Sequence, residues 1–171
     1  MKTTGITTTV PIEVLMAAGR RPVDLNNILV SAPDPGRLIN IAERAGFPLN
    51  SCAWIKGLYG VCLDSRLEEV VCVTSGDCSN TIMLMEVLNL KGINTIPFAY
   101  PERPEMALVQ IALENLASVF GATLEAAEKV RRELQPCRDL ALKLDGLTWK
   151  ENKAAGKENH LWLVSASDFN G

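Results

Sequence analysis

The sequence has one histidine and no closely spaced pair of cysteines. With His160 alone, the chain lacks the histidines for a His-based zinc site and for a Ser-His-Asp triad of its own. No two of its five cysteines form a CxxC motif, which argues against a zinc ribbon. An odd number of cysteines in a chain without a secretion signal also argues against a disulfide framework.

Long apolar runs, a strong net charge and phosphate-binding loops are lacking as well. No run approaches the roughly 18 apolar residues of a membrane helix, and the N-terminal "MKTTGITTTV" has no signal-peptide core. A formal net charge of -3 gives no reason to expect nucleic acid or an anionic membrane as a partner. Neither GxGxxG nor GxxxxGK[ST] occurs, so no nucleotide site is predicted. A cytoplasmic location is therefore expected.

The composition that remains is that of a globular α/β protein. The 171 residues are 47% apolar and 22% charged, enough for a domain with its own core. The segment 68–76, "EEVVCVTSG", predicts a strand buried on both faces, as in parallel sheets. A helix over 80–91, with Gly92 just beyond it, and a strand over 93–101 are predicted to follow. This β-α-β order predicts parallel pairing of the two strands.

The rest of the chain predicts a domain followed by helices. The segment 2–10 predicts an opening strand, and 21–30, "RPVDLNNILV", predicts another. From residue 107 onwards the spacing of apolar residues predicts two long amphipathic helices, the second kinked at Pro136. We therefore predict an α/β domain over residues 1–105 and a helical section over 106–171 that leads to a further domain.

Three of the cysteines are predicted to be packing residues. Cys72 falls within the buried strand, Cys62 at the end of a helix and Cys137 on the apolar stripe of a helix. A free cysteine in such a setting behaves as a small apolar side chain. We expect no chemistry from these three.

Cys78 and Cys52 are candidate ligand residues. Cys78 follows a turn at Gly76, at the end of the buried strand where open α/β sheets bind their ligands. It is predicted in the first turn of a helix, where the helix dipole lowers a thiol pKa and favours the thiolate. Cys52 has a similar predicted place, behind an N-cap at Asn50 or Ser51. The two cysteines are predicted either to converge at one rim of the sheet or to be ordinary helix-start residues.

Glu13 and Lys56 are further candidates. Glu13 lies in the first turn of its predicted helix, beside the rim of the first strand, where it would serve as a general acid or base. The alternative is a solvated glutamate favoured by the helix dipole. Lys56 follows Cys52 by four residues and would supply positive charge near a cluster or a phosphate, or be an ordinary surface lysine.

Three segments together carry a resemblance to a known family. They are "GITTTVPIEVLMAAGRRPVDL", "NSCAWIKGLYG" and "SGDCSNTIMLMEVL", which contain P-x-E-x-x-x-A-A-G, C-x-x-[IL]-K and an Asp-Cys turn. In this order and spacing the chain resembles the iron–sulfur subunits of the 2-hydroxyacyl-CoA dehydratase family. Relatives of that family include the benzoyl-CoA reductase subunits and the double-cubane cluster proteins. The resemblance extends from about residue 3 to Gly171.

The resemblance implies a flavodoxin-like three-layer α/β domain with a mostly parallel sheet, joined by helices to a second α/β domain. It implies that Cys52 and Cys78 are thiolate ligands of an iron–sulfur cluster, either [4Fe-4S] or a double cubane. Ser75, Ser79 and the backbone N–H groups of residues 75–80 are the expected donors to its sulfurs. The family takes a third cysteine ligand from its second domain, so this ligand is expected outside the present chain. Some relatives carry a cysteine near the first strand, where this sequence has threonines at 7–9.

The function implied is the radical dehydration of a 2-hydroxyacyl-CoA to an enoyl-CoA. One electron from a low-potential cluster reduces the thioester carbonyl, the hydroxyl leaves, and the β-hydrogen becomes acidic enough for a base such as Glu13. The electron then returns to the cluster. The implied partners are a second similar subunit (homo- or heterodimer), an ATP-dependent iron–sulfur activator protein and the acyl-CoA substrate. Two alternatives stay open: a low-potential reductase of the double-cubane or benzoyl-CoA type, and a non-catalytic α/β binding module.

Overall fold

The computed structural model of the chain describes residues 1–169. The last two residues of the predicted helical section, Asn170 and Gly171, lie outside the described residues. The strands are β1 (Lys2–Ile6), β2 (Arg20–Asp24), β3 (Glu69–Ser75) and β4 (Asn94–Ala99). The helices within the described range are α1 (Ile12–Ala17), α2 (Leu25–Ser31), α3 (Pro35–Arg44), α4 (Ala53–Asp64), α5 (Asn80–Leu90), α6 (Met106–Phe120), α7 (Leu124–Glu133), α8 (Gln135–Trp149) and α9 (Gly156–Ser165).

The strands form one parallel sheet in the order β2-β1-β3-β4. This confirms the predicted α/β fold with a mostly parallel sheet. Because all strands run in the same direction, they begin at one end of the sheet, the amino end, and finish at the other, the carboxyl end. The amino end is defined by Lys2, Arg20, Glu69 and Asn94, and the carboxyl end by Ile6, Asp24, Ser75 and Ala99.

Helices cover both faces of the sheet, which gives the flavodoxin-like arrangement of three layers. One buried cluster joins Val70 and Cys72 of β3 to helices α2, α3, α4 and α5. The other joins Val71 and Val73 of the same strand to α1, α6 and α7. Successive side chains of a strand point to opposite faces, so β3 contributes to both cores. Its continuous apolar sequence follows from this position.

A single buried carboxylate links the strands at the amino end. Glu69 Oε1 accepts hydrogen bonds from Thr4 Oγ1 at 2.6 Å and Arg20 Nε at 3.0 Å. Its Oε2 accepts from Lys2 Nζ at 3.0 Å and from Asn94 Nδ2 at 3.4 Å. Burial alone raises the pKa of Glu69, but the hydrogen bonds that it accepts outweigh this effect, so its pKa lies below the usual value.

The predicted strand over 21–30 is wrong in its second half. β2 ends at Asp24, and α2 begins immediately after it. Asp24 is the N-cap of α2, and its Oδ1 accepts a hydrogen bond from the Asn26 N–H at 2.8 Å. The N-cap aspartate therefore overrides the strand-like composition of the residues that follow it. β1 is also shorter than the predicted strand over 2–10, because it ends at Ile6.

The helices after β4 follow the prediction except at Pro136. The predicted first long helix is α6, but the second is divided into α7 and α8 and not merely kinked. Pro136 lies in the first turn of α8, where its missing N–H costs little, whereas inside a helix it would remove a hydrogen bond. Across residues 1–169 no single helix has the length and apolarity to cross a bilayer. Taken together, α6 and α7 are long and apolar enough by those two criteria alone, but they are bent by 97° relative to each other.

Candidate functional site

Cys78 lies on the turn that follows β3 at the carboxyl end of the sheet, and its side chain is exposed. The turn passes through Gly76, whose φ of 88° favours glycine, and a Cβ added there would lie 2.8 Å from Tyr100 Cβ. The predicted place of Cys78 in the first helical turn is wrong, because α5 begins at Asn80 with Ser79 as its N-cap. The thiol is therefore carried by the turn ahead of the helix.

Asn80 provides a contact to this sulfur that was not predicted from the sequence. Its Nδ2 donates to Cys78 Sγ at 3.4 Å. Hydrogen bonds of this kind to a ligand sulfur tune the potential of a bound cluster. The donors expected from the sequence are Ser75, Ser79 and the backbone N–H groups of residues 75–80. The sequence "DCSN" could have indicated this contact, because it places an amide side chain two residues after the cysteine.

Cys52 lies at the start of α4, and its side chain is also exposed. It is the N-cap residue itself, with φ -51° and ψ 121°, and its carbonyl accepts the Lys56 N–H at 3.1 Å. The predictions of an N-cap at Asn50 or Ser51 and of Cys52 within the first turn are therefore wrong by one or two residues. Within the described residues Cys52 Sγ makes no capping hydrogen bond, so the thiol is available to a ligand.

A series of hydrogen bonds brings the start of α4 to the carboxyl end of the sheet. Trp54 Nε1, in the first turn of α4, donates to Asn26 Oδ1 at 2.7 Å. Asn26 Nδ2 donates in turn to the Thr7 carbonyl, directly after β1, at 2.9 Å. Thr7 Oγ1 accepts the Val73 N–H of β3 at 3.1 Å. The helix carrying Cys52 is thus linked to the end of the strand that leads to Cys78.

The other three cysteines have different surroundings. Cys62 and Cys72 are buried, as predicted. Burial raises the pKa of both thiols, that of Cys72 to about 12, so neither is a thiolate near neutral pH. Cys137 is exposed, which contradicts its predicted packing role. The break ahead of Pro136 begins a new helix there and leaves Cys137 on the wall of an open cavity.

Glu13 borders that cavity, which has a volume of about 870 Å³. Its walls come mainly from α8, α9 and the loop after β1, and include Thr9 and Trp162. The Glu13 carboxylate is partly buried and forms an ion pair with the guanidinium of Arg138, which itself lies 5.1 Å from the centre of the Phe169 ring. Glu13 therefore faces a mostly apolar space with its charge balanced by an arginine.

The cavity and the turn of Cys78 share one loop. Thr9 lines the cavity, and its carbonyl accepts a hydrogen bond from Tyr100 Oη at 2.8 Å. Tyr100 packs on Gly76, two residues before Cys78. Glu13 is thus connected to the thiol turn through the loop that follows β1.

Lys56 is neither a surface lysine nor an open positive charge. It is 3% exposed and lies on the first turns of α4. Its Nζ donates to Glu43 Oε1 at 2.6 Å and to the Leu49 carbonyl at 3.1 Å. Lys56 is therefore neither a source of positive charge for a cluster or phosphate nor an ordinary surface lysine, because its buried ammonium is paired with Glu43 and the Leu49 carbonyl.

Within residues 1–169, no three His, Cys, Asp or Glu side chains gather in an arrangement that could hold a metal ion. The carboxyl end nevertheless presents two exposed thiols, Cys52 and Cys78. Thiolates are the ligands that iron–sulfur clusters prefer. No protein-family model and no curated protein matches the chain.

Proposed function

We propose that Cys52 and Cys78 hold an iron–sulfur cluster at the carboxyl end of the sheet. We further propose that the chain serves as an iron–sulfur subunit in the dehydration of a 2-hydroxyacyl-CoA. The observation that carries the proposal is the placement of both exposed thiols at this end of the sheet, Cys52 at the N-cap of α4 and Cys78 on the turn ahead of α5. Parallel α/β sheets bind their ligands at this end.

The chemistry of the donors fits such a cluster. All five cysteines are free in the described part of the chain, and the two proposed ligands are exposed. The amide of Asn80 donates to Cys78 Sγ, which is the kind of contact that stabilises a cluster sulfur. Cys62 and Cys72 do not fit, because their thiols are buried and have raised pKa values.

Two cysteines do not complete a cubane, which commonly has more than two cysteine ligands. We propose that the remaining protein ligand comes from a second domain outside this chain, as the family resemblance implies. The cluster would then lie between the carboxyl end of this sheet and the element that supplies the last ligand.

When bound, a low-potential cluster supplies the one-electron reduction that makes the β-hydrogen of the thioester acidic. The part proposed for this chain is to position the acyl group and to accept the proton. Glu13 is the proposed proton acceptor, since its carboxylate borders a cavity large enough for an acyl group. Arg138 would hold this carboxylate in position through their ion pair.

Anaerobic reconstitution tests the ligand assignment. The full-length protein, with the domain that supplies the third ligand, would be incubated with iron and sulfide, desalted and analysed for bound iron, bound sulfide and the electron paramagnetic resonance (EPR) signal of the reduced sample. We expect iron in the wild type and its loss in both Cys52→Ala and Cys78→Ala. Cys137→Ala is the matched control, because it removes an exposed thiol elsewhere and should retain the iron.

Two outcomes would contradict the assignment. Equal loss of iron in Cys137→Ala would show that exposed thiols bind iron non-specifically. No iron in the wild type would favour the non-catalytic binding module. Formation of enoyl-CoA from 2-hydroxyacyl-CoA, in the presence of an activator and a partner subunit, would separate the dehydratase from the reductase alternative, because both use the same ligands.

A further inference from the structure

The side chain of Lys56 holds the segment that leads to Cys52. This lysine is buried, and its ammonium donates to Glu43 Oε1 at the end of α3 and to the Leu49 carbonyl in the α3–α4 loop. A buried ammonium is tolerated only when it is paired and hydrogen bonded, so these contacts fix its position. The Leu49 carbonyl lies three residues before Cys52 in the chain.

The backbone of the same lysine holds Cys52 from the other side. The Lys56 N–H donates to the Cys52 carbonyl at 3.1 Å, as the first hydrogen bond of α4. Between the two contacts, the Ser51 N–H and Oγ both donate to the Pro48 carbonyl, at 3.0 and 2.5 Å. Lys56 therefore restrains the chain both before and at Cys52.

Charge balance excludes the simpler role of an electrostatic partner for the thiolate. The Lys56 ammonium lies 2.6 Å from the Glu43 carboxylate, whose side chain is 27% exposed. A neutralised cation contributes little positive potential at a distance. Its effect on Cys52 must act through the position of the loop.

We propose that Lys56 is a positioning residue that sets where Cys52 Sγ lies, through its hydrogen bond to the Leu49 carbonyl. The inference rests on the proposed function, because the position of Cys52 matters to chemistry only if Cys52 is a cluster ligand. It adds a residue that touches neither the cluster nor the substrate.

The same two helices provide a matched control. Arg37 near the start of α3 forms a two-pronged ion pair with Asp64 at the end of α4, at 2.8 and 2.7 Å. Asp64 is separated from Cys52 by the length of α4, roughly 18 Å at 1.5 Å per residue. Lys56→Met and Arg37→Met thus each remove one α3–α4 ion pair, but only Lys56→Met removes a contact to the Cys52 segment.

Hydrogen exchange on the iron-free chain tests the restraint itself. In Lys56→Met we expect the backbone amides of residues 49–56 to exchange roughly 10-fold faster or more, since charge-assisted hydrogen bonds are lost. Arg37→Met should leave these amides at the wild-type rate. Wild-type exchange of the segment in Lys56→Met would overturn the inference, whatever the iron content.

Cluster properties test whether the restraint positions the ligand. In reconstituted Lys56→Met we expect iron to be lost to a chelator at least several-fold faster than from the wild type, with shifted g-values in the EPR spectrum. Lys56→Arg, which keeps a cation able to donate to both acceptors, should recover most of the wild-type behaviour. Arg37→Met should match the wild type.

The outcomes separate the two proposals. Iron bound by the wild type with unchanged release and spectrum in Lys56→Met would overturn the positioning role alone. No iron in the wild type would overturn the proposed function and the positioning role with it, while the exchange data would still report whether Lys56 restrains the loop.

Discussion

The amino end of the sheet is closed by side chains from every strand, whereas the carboxyl end leaves thiols facing solvent. At the amino end, Glu69 accepts hydrogen bonds from residues on the other three strands and is itself 3% exposed. At the carboxyl end, Cys52 and Cys78 are exposed, and the turn between β3 and α5 requires a left-handed glycine at Gly76. The four strands are thus tied together by buried hydrogen bonds at the amino end, whereas the carboxyl end carries exposed side chains.

From this difference we expect the two ends of the sheet to contribute to different properties of the protein. A buried carboxylate with charged partners stabilises the fold only when all its contacts are made, so the amino end has little freedom to change. Loops on a rigid sheet can instead present reactive groups at small cost to the core. Substitutions at the two ends should therefore affect different observables, stability at one and ligand binding at the other.

The largest expected contrast is in thiol reactivity. In the reduced, iron-free chain at pH 8, Cys52 and Cys78 should react readily with iodoacetamide. Cys72, buried in β3 with its pKa raised to about 12, should react about 1,000-fold more slowly, because few of its thiols are ionised. Peptide mass spectrometry over time measures each rate, and the chain in denaturant, where all sites should react alike, is the control. Equal native rates at Cys72 and Cys52 would contradict the comparison.

Removing the charge at the amino end should cost the most stability. Glu69→Gln keeps the size of the side chain but weakens its charge-assisted hydrogen bonds, so we expect a loss of about 2–3 kcal/mol in the free energy of unfolding. Glu68→Gln is the matched control: this neighbouring glutamate is exposed, and its substitution should change stability by less than about 0.5 kcal/mol. Urea denaturation measures both, and equal losses would show that Glu69 has no special role.

The Glu69 carboxylate should also make the free energy of unfolding depend on pH in the acidic range. The pKa of Glu69 is lowered from the ordinary 4.5 in the folded chain, so its contribution is complete above that value. It is lost as the pH falls from about 4.5 through the lower folded pKa. The stability difference between wild type and Glu69→Gln should therefore shrink on acidification over this window. A difference that stays constant from pH 6 to pH 3 would rule out this source of stability.

At the carboxyl end, Gly76→Ala should have a smaller effect on stability and a larger one on iron. Alanine at a positive φ costs about 1 kcal/mol, and here its Cβ would also collide with Tyr100. Gly92→Ala is the control, because Gly92 has a similar φ of 79° with nothing near its Cβ. We expect Gly76→Ala to be about 1 kcal/mol less stable than Gly92→Ala and to lose reconstituted iron. Equal stability and iron content would show that this turn tolerates displacement.

The fold was largely predictable because its signals are local. The continuous Val-rich run of β3 is visible in the local sequence, and this strand, α5 and β4 were all predicted near their observed bounds. The wrong predictions of element boundaries also have local causes, namely capping by a side chain and the position of a proline. One capping side chain, Asp24, begins α2 where the apolar pattern continues as a strand, and Pro136 starts a helix where the periodicity runs on.

The candidate site was less predictable, because it depends on side chains that meet only after folding. The positions of Cys52 and Cys78 at helix starts follow from the sequence to within two residues. The burial of Lys56 against Glu43 does not, since it depends on how α3 packs on α4. Likewise, no local pattern predicts that Trp54 donates to Asn26 of α2, which in turn donates to the Thr7 carbonyl after β1.

The smallest expected effect concerns this contact at the carboxyl end. Trp54→Phe removes the Nε1 donor to Asn26, which links α4 to the loop after β1, while keeping an aromatic ring. Since the tryptophan is 48% exposed, water can replace the hydrogen bond, and the unfolding free energy should fall by no more than about 1 kcal/mol.

Trp149→Phe provides the comparison, because its Nε1 donates to Asp145 within the same helix and holds no second element. If the carboxyl end is organised for ligand binding, the two variants should be about equally stable, but only Trp54→Phe should release iron faster after reconstitution. Faster release from Trp149→Phe as well would mean that general loosening of the chain, and not the link between α4 and β1, controls how firmly iron is held.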